Sequence, residues 1–484
     1  MNETENKKSL PEWMENNLEV LWFICVGFAF IYTLFRYKNP SGITYPLSIF
    51  ALYMTAYLVM KRVNMVVKKS FYFYMIISVL LGISTFRTGN GFIHFFNNTA
   101  IIIISCICVI NQRYSDTGWN IGKYIASIFL YLCYSIFYIG YSFVAGFKFI
   151  KKIQQKKYKI FLLVIGGVLI SIPILTILIA LLSKADAVFG SLVDNLLSSF
   201  LQPFTMISVI FKFFTTALAI FALICGAGIK NIKEETKDSR NGEPILMITC
   251  MGLVGLIYLL FSGIQILYLF MGKGTLPDSI TYSEYAREGF FQLVFVVLLN
   301  LIMVLLCLKY FKKSNILNII LTIISICTYV MITSAAFRML LYINEYHLTT
   351  LRVMVLWFLA LVSILMIGVI AVIYHNKFPL FHYCTVVVAV FYLGYGWMRP
   401  DYIIAQYNVK HKEVLERKDI DYLTNYLSID ALPALMEISD DKFDYEYQWE
   451  IKDREDYLKD KIYGHENMSW RTYNLSYSQA LKYK

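Results

Sequence analysis

Charge is what this sequence has least of. Asp, Glu, Lys and Arg together make up only 16% of its 484 residues, where soluble domains carry about 25%. That shortfall excludes a soluble enzyme. A hydrophobic share of 58% excludes a disordered chain and a fibre. Histidine is scarce. The six stand at 94, 347, 375, 382, 411 and 465, and no pair has the H-E-x-x-H spacing of a metal site. No G-x-S-x-G, Walker A or G-x-G-x-x-G motif occurs, so ATP-driven work would need a partner chain. There is no low-complexity segment. There is also no internal repeat, which weakens an inverted-repeat transporter reading. The first apolar run lacks a small-residue cleavage site and reads as a retained span, not a signal peptide. No cofactor or metal is expected.

What is there points to lipid as the main solvent. Mean hydropathy is +0.57. Aromatics reach 17%, with 37 Tyr and 36 Phe, which suits membrane interfaces. A span needs about 20 apolar residues. Eleven runs qualify, at 18–35, 43–60, 71–86, 95–110, 159–182, 204–228, 245–271, 289–308, 315–335, 353–374 and 380–397. A twelfth candidate, 121–147, is rich in Tyr and Ser and suits an in-plane helix as well as a span. The fold class is therefore all-α, a polytopic transmembrane helical bundle of 11–12 spans. A polar segment, 1–17, precedes the transmembrane domain, 18–398, and a small helical polar tail, 399–484, follows it. The nine cysteines all lie in apolar segments and read as small buried hydrophobes.

The net charge of +11 would suggest nucleic acid in a soluble protein. Here the cations sit in short loops, so the positive-inside rule explains them and nucleic acid is not an expected partner. With the N-terminus cytoplasmic and 121–147 lying in the plane, the inner loops hold 22 Lys and Arg against 8 outside. That model, or a re-entrant hairpin at 121–147, obeys the rule better than twelve full spans. It places the tail outside the cytoplasm. The tail is mildly acidic, with 13 basic and 17 acidic residues. Its Ile420, Leu423, Tyr426 and Leu427, then Leu432, Leu435 and Met436, recur at helical spacing. Ser428 could cap the second of these helices, and 447–462 reads as a third.

Three segments carry unusual polar density: 183–195, 278–290 and 334–352. An even number of spans separates each from the next, so all three share one face of the membrane. In the third, Arg338, Tyr342, Glu345, Thr349 and Arg352 would form one polar stripe on a continuous helix. The second offers Glu284, Arg287 and Glu288 at the membrane boundary, where charge is costly unless paired. The functional reading is an outward site for an anionic headgroup or substrate built on Arg287, Arg338 and Arg352, because the Arg fork binds phosphate or carboxylate bidentately. Glu284, Glu288, Glu345 and Asp186 are the accompanying acids. The bland reading is that these charges pair with one another and tie loops to the bundle. For Asp186 it is helix capping. Lys212 and Asn300 lie inside apolar runs, and snorkelling and interhelical bonding account for them.

Several stretches carry a family resemblance. YSEYAREGFFQLVFVVLLNL (282–301), RMLLYINEYHLTTLRVMVLWF (338–358), RPDYIIAQYNV (399–409), IDYLTNYLSIDALPALMEI (420–438) and WRTYNLSYSQAL (470–481) resemble signature segments of a bacterial integral-membrane family. So do KADAVFG (184–190) and GITYPL (42–47). The family is domain of unknown function 4173, whose sister is 4153. It usually shows Tyr-Gly-Leu-Thr where this chain has Tyr346-His347-Leu348-Thr349. Losing that glycine favours the continuous stripe over a helix break at 347. The resemblance implies a multi-pass protein of the cytoplasmic or inner membrane, and no activity, cofactor or site residue. Two functions follow as expectations. One is binding or transport of an anionic or lipid-like ligand through the outward site. The other is a non-catalytic signalling or scaffold role, in which outer loops and tail meet an envelope or sensor protein. An enzyme is not expected.

Overall fold

The computed structural model describes residues 12–116, 119, 121–154, 203–228, 232, 240–267, 282–375, 378–412, 415–438, 462, 463 and 468–483, with isolated positions between 167 and 186. Twelve long helices dominate these residues. They are α1 (Glu12–Arg36), α2 (Thr44–Arg62), α3 (Ser70–Arg87), α4 (Gly91–Arg113), α5 (Ile121–Phe137), α6 (Ile139–Gln154), α7 (Pro203–Gly228), α8 (Pro244–Gln265), α9 (Tyr282–Tyr310), α10 (Asn315–Tyr346), α11 (Thr350–Tyr374) and α12 (Leu380–Trp397). Among the described residues, α1, α3, α4 and α7 to α12 are long and apolar enough to cross a membrane. α2 coincides with the run at 43–60 but falls short of that standard, diluted by its tyrosines and threonines. The run at 159–182 lies outside the described residues, apart from isolated positions. The protein is a multi-pass helical membrane protein in contact with the bilayer.

The helix termini define two ends. At the leading end, where α1 begins, Arg113 closes α4 and donates to the Gly228 carbonyl at the end of α7, 2.7 Å away. At the opposite, tail end, Lys212 near the start of α7 donates to the carbonyl of Arg36, the last residue of α1, at 2.6 Å. Lys212 therefore reaches a helix terminus, as the snorkelling reading expects. Asn300 donates to Thr328 at 2.9 Å and bonds the neighbouring helix.

Two buried cores organise the bundle. One is built from α1 to α7, with Tyr53, Phe71, Leu81, Leu21 and Phe221 among its residues. The other joins α8 to α11 around Val297, Leu321, Met331 and Met366. α12 packs on both α3 and α11 and links the two. α5 and α6 meet at a 41° bend. Tyr124 near the start of α5 stacks on Phe381 at the leading end, with ring centroids 3.6 Å apart. Toward the end of α5, Ser135 lies against Gly226, one turn from the leading end of α7.

The cysteines divide. Cys25, Cys106, Cys108, Cys225, Cys307 and Cys327 are buried, while Cys133 and Cys384 are half-buried. Cys250 is exposed on α8, so the expectation of nine buried thiols is corrected there. The physical reason is that a span's outer face meets lipid, so an apolar side chain gains nothing by turning inward.

Beyond α12 the chain turns at Arg399, whose φ is 52°. It continues as α13 (Pro400–His411), α14 (Arg417–Asp421), a π turn at Tyr422–Tyr426, a 3-10 turn at Ile429–Ala431, α15 (Leu432–Met436) and α16 (Leu475–Ala480). Ser428 accepts from Asp430 N and caps the 3-10 turn, and Pro433 sits in the first turn of α15. Leu423, Leu427, Leu432 and Leu435 are buried, whereas Tyr426 is exposed. Its place in the expected apolar stripe is corrected, because the π turn rotates it off the packed face. The expected helix at 447–462 lies outside the described residues, Ile462 apart.

Candidate functional site

The polar stripe expected along 338–352 is interrupted. α10 ends at Tyr346, and His347 takes φ 61° and ψ −171°, a conformation suited to glycine. The His347 amide donates to the Ile343 carbonyl at 2.7 Å and closes the helix. The break therefore occurs at 347 without a glycine, and the continuous-helix expectation is corrected. Contacts from Leu348 and Thr350 to the tail hold it in place.

The expected site residues separate accordingly. Arg352 lies over the Tyr342 ring, 4.2 Å from its centroid. It donates to the carbonyls of Tyr346 and His347. It thus covers the open end of α10. Arg338 is buried, and its Nη2 donates to Gln265 Oε1 at 3.3 Å. Ser334 donates to the same oxygen at 2.6 Å. Glu345 is exposed, so it does not share Arg338's surroundings. Glu284, Arg287 and Glu288 fall in the first turns of α9, with side chains outside the description. Asp186 is exposed, and the helix it would cap lies outside the described residues.

The densest buried polar cluster lies elsewhere, at the tail end. Asp430 is fully buried and Asp401 nearly so. Asp430 Oδ1 accepts from Gly89 N at 2.9 Å and from Ser476 Oγ, and lies 3.4 Å from Arg399 Nη2. Its Oδ2 accepts from Thr88 Oγ1. Asp401 Oδ2 accepts from Asn90 Nδ2 at 2.7 Å and from Ser428 N at 3.0 Å. Asn90 in turn accepts from Phe92 N at 2.8 Å and caps α4. Arg399 also reaches Gln479 Oε1 at 2.7 Å. Asn474 donates to the Ser41 and Thr88 carbonyls at 3.1 and 3.2 Å. The cluster binds the tail to the α3–α4 turn. Burial raises the Asp401 carboxyl above its ordinary value, with Asp430 adding repulsion against the hydrogen bonds from Ser428 and Asn90.

Two further seams extend this clasp. Ile43 N donates to the Tyr473 carbonyl at 2.8 Å, and Asn39 Nδ2 to the Arg471 carbonyl at 2.9 Å, fixing the tail to the α1–α2 turn. Asn408 exchanges two 2.9 Å bonds with the backbone of Leu348, and Thr350 N donates to Tyr422 Oη at 2.8 Å. The tail thus holds turns from both cores.

A third buried acid sits at the leading end. Asp116 accepts from Asn111 Nδ2 at 2.7 Å and from Tyr124 Oη, with His382 Nε2 at 3.6 Å. Burial pushes its carboxyl up, but hydrogen bonds from His382, Tyr124 and Asn111 together prevail and hold it at about 2. Among the described residues no group of three His, Cys, Asp or Glu could hold a metal.

The sequence reading missed both acid clusters. The available signal for the first was Arg399-Pro400-Asp401 directly after the last span, where buried charge demands a partner. That partner, Asp430, is 31 residues away, and Thr88 is 342 residues from Asp430. No local pattern could have joined them.

No curated protein and no solved structure matches the chain. The family model of the domain of unknown function DUF4153 matches residues 75–438, which take in Thr88, Arg399, Asp401 and Asp430 but not Asn474. This is the family named above as the sister of 4173. The match covers most of the chain, and the protein belongs to the DUF4153 family.

Proposed function

We propose that this protein is a non-catalytic membrane platform, in which the tail and the tail-end turns form one rigid surface that engages a protein of the envelope. The observation that carries this reading is the clasp around Asp401 and Asp430. Burying two carboxylates is unfavourable unless they are hydrogen-bonded, and here donors come from segments hundreds of residues apart. Such a network fixes the tail rather than tethering it. Tyr426, Tyr463 and Trp470 of the tail stand exposed, and aromatics of this kind anchor protein interfaces.

Orientation follows from charge and parity. Lys61, Arg62, Lys68, Lys69, Arg113 and Lys123 gather at the leading end, which supports a cytoplasmic leading end and an extracytoplasmic tail. α4 ends at the leading end and α7 begins at the tail end, so the chain between them makes a net odd number of crossings. The apolar run at 159–182 is long enough by its sequence to supply one. The bent pair α5–α6 then contributes no full crossing, in keeping with an in-plane or re-entrant element.

The reading is tested with photo-crosslinking residues placed at Tyr426 and Trp470 in intact cells. The expected result is adducts to the same partner from both positions, lost on deletion of 410–484. Absence of adducts, or a deletion that leaves phenotype and co-purifying proteins intact, overturns it. A second reading, an anionic ligand held at the tail end, is favoured by one observation: Arg338 is a buried cation beside Gln265. Arg338→Ala leaving every phenotype unchanged would sink it.

A further inference from the structure

The leading end holds a cavity of about 270 Å³ between α2, α4, α5 and α7, distinct from the clasp. A dry apolar cavity of roughly 150 Å³ accommodates a benzene ring, so this one has room for a good deal more. Its walls are almost entirely apolar, with Leu52, Val59, Ile101 and Leu223 among them. Its rim at the leading end is not. There Trp13, Gln112 and Arg113 join the lining. Arg113 lies 5.7 Å from the Trp13 ring centroid and donates one Nη2–H to the Gly228 carbonyl. Its Nε is buried and has no hydrogen-bond partner among the described residues. A guanidinium has five donors in a planar fork that suits phosphate. The end of α2 adds Lys61 and Arg62, and the α2–α3 loop adds Lys68 and Lys69. The acids of this end in the same half, Glu12, Glu15, Glu19 and Asp116, lie on α1 and in the α4–α5 turn, and Asp116 is engaged by Asn111 and Tyr124.

A greasy slot beside a half-buried guanidinium at a membrane boundary has the two-part chemistry of one kind of molecule. We propose that this cavity binds an anionic glycerophospholipid, with one acyl chain between α2 and α7 and the phosphate against Arg113. Basic pockets between spanning helices recognise anionic headgroups in this way. α5 forms the roof. Tyr131 Oη donates to the Leu223 carbonyl at 3.1 Å, and Gly226 lets Ser135 approach so closely that a Cβ would meet its Oγ at 2.1 Å. The roof thus covers the slot along the last turns of α7, next to the Arg113–Gly228 contact.

The test uses the full chain in a neutral detergent. Phosphatidylglycerol, phosphatidylcholine of the same chains, and chain-free glycerol phosphate are each titrated, with bound lipid read by native mass spectrometry and stability by melting temperature. One phosphatidylglycerol per chain is expected, with little retention of phosphatidylcholine and no response to glycerol phosphate. Arg113→Gln should weaken phosphatidylglycerol roughly tenfold, the loss of about one charge-assisted hydrogen bond. Ala56→Phe and Ala227→Phe, which fill the slot from different helices, should abolish binding. Equal retention of the two lipids overturns the phosphate contact. An equal response to glycerol phosphate overturns the chain site. Undiminished binding in whichever filled variant keeps the parent's helicity and monodispersity overturns the location, and Arg113→Gln decides alone should neither fold.

Discussion

At the scale of single residues, two aspartates set the stability of the tail end. Asp430 receives donors from Thr88, Gly89, Arg399 and Ser476, and its loss leaves a largely buried Arg399 uncompensated. Asp430→Ala should therefore cost about 3–5 kcal/mol, read as a lowered unfolding midpoint. Asp401 acts through pH. Its folded carboxyl titrates above the unfolded value of about 3.9, so between those two values the folded chain binds more protons. Stability then falls as pH rises through that window. Asp401→Asn, which keeps an acceptor and removes the charge, should help most at neutral pH and least near pH 4. A melting difference between the two proteins that does not vary with pH would contradict this. Asp116 has the opposite sign: its held-down carboxylate stabilises above about 3.9 and loses that effect as pH falls toward about 2. His347 occupies backbone space that glycine adopts freely, at φ 61°. His347→Gly should raise stability by about 1 kcal/mol, seen as a later chemical-denaturation midpoint.

At the scale of elements, the spans were the legible part. Runs of apolar residues forecast α1 to α4 and α7 to α12, because in lipid the backbone must satisfy itself and long apolar helices are the available answer. The polar segments were legible as unusual, and Arg338 and Arg352 fall on two successive helices, α10 and α11. Their convergence was not legible. A stripe argument assumes one helix, and the break at 347 depends on bonds that Leu348 and Thr350 make with Asn408 and Tyr422, about 60 to 70 residues onward. Hydropathy cannot report such pairings. The turns themselves show the closeness of the fit. A Cβ on Gly42 would lie 2.4 Å from the Arg471 carbonyl oxygen and 2.7 Å from Thr472 Cα. Gly42→Ala should thus push the 469–483 segment away, at about 1–3 kcal/mol. Faster amide exchange at Ile43, whose partner is the Tyr473 carbonyl, is the measurement that checks it.

At the scale of the whole molecule, the protein is two helical cores joined by α12 along their length and by the tail across one end. The proposed orientation makes one further prediction. Single cysteines at Val66 and Glu345, both exposed at opposite ends, are introduced into a cysteine-free background. An impermeant reagent applied to intact cells should label the Glu345 position and spare Val66. The reverse pattern would turn the molecule over in the membrane while leaving its internal geometry as described.

The seam between Asn39 and Arg471 spans 432 positions of sequence. A chain made at about 5–20 residues per second needs roughly 20–90 s to travel that far. Throughout this interval the first helical hairpin is already in the bilayer with the Asn39 amide, the Thr44 hydroxyl and the narrow notch at Gly42 awaiting their occupant. Assembly of this protein therefore has a built-in delay, and its tail-end surface is completed late. A surveillance protease reading that notch would measure whether translation had run past residue 471.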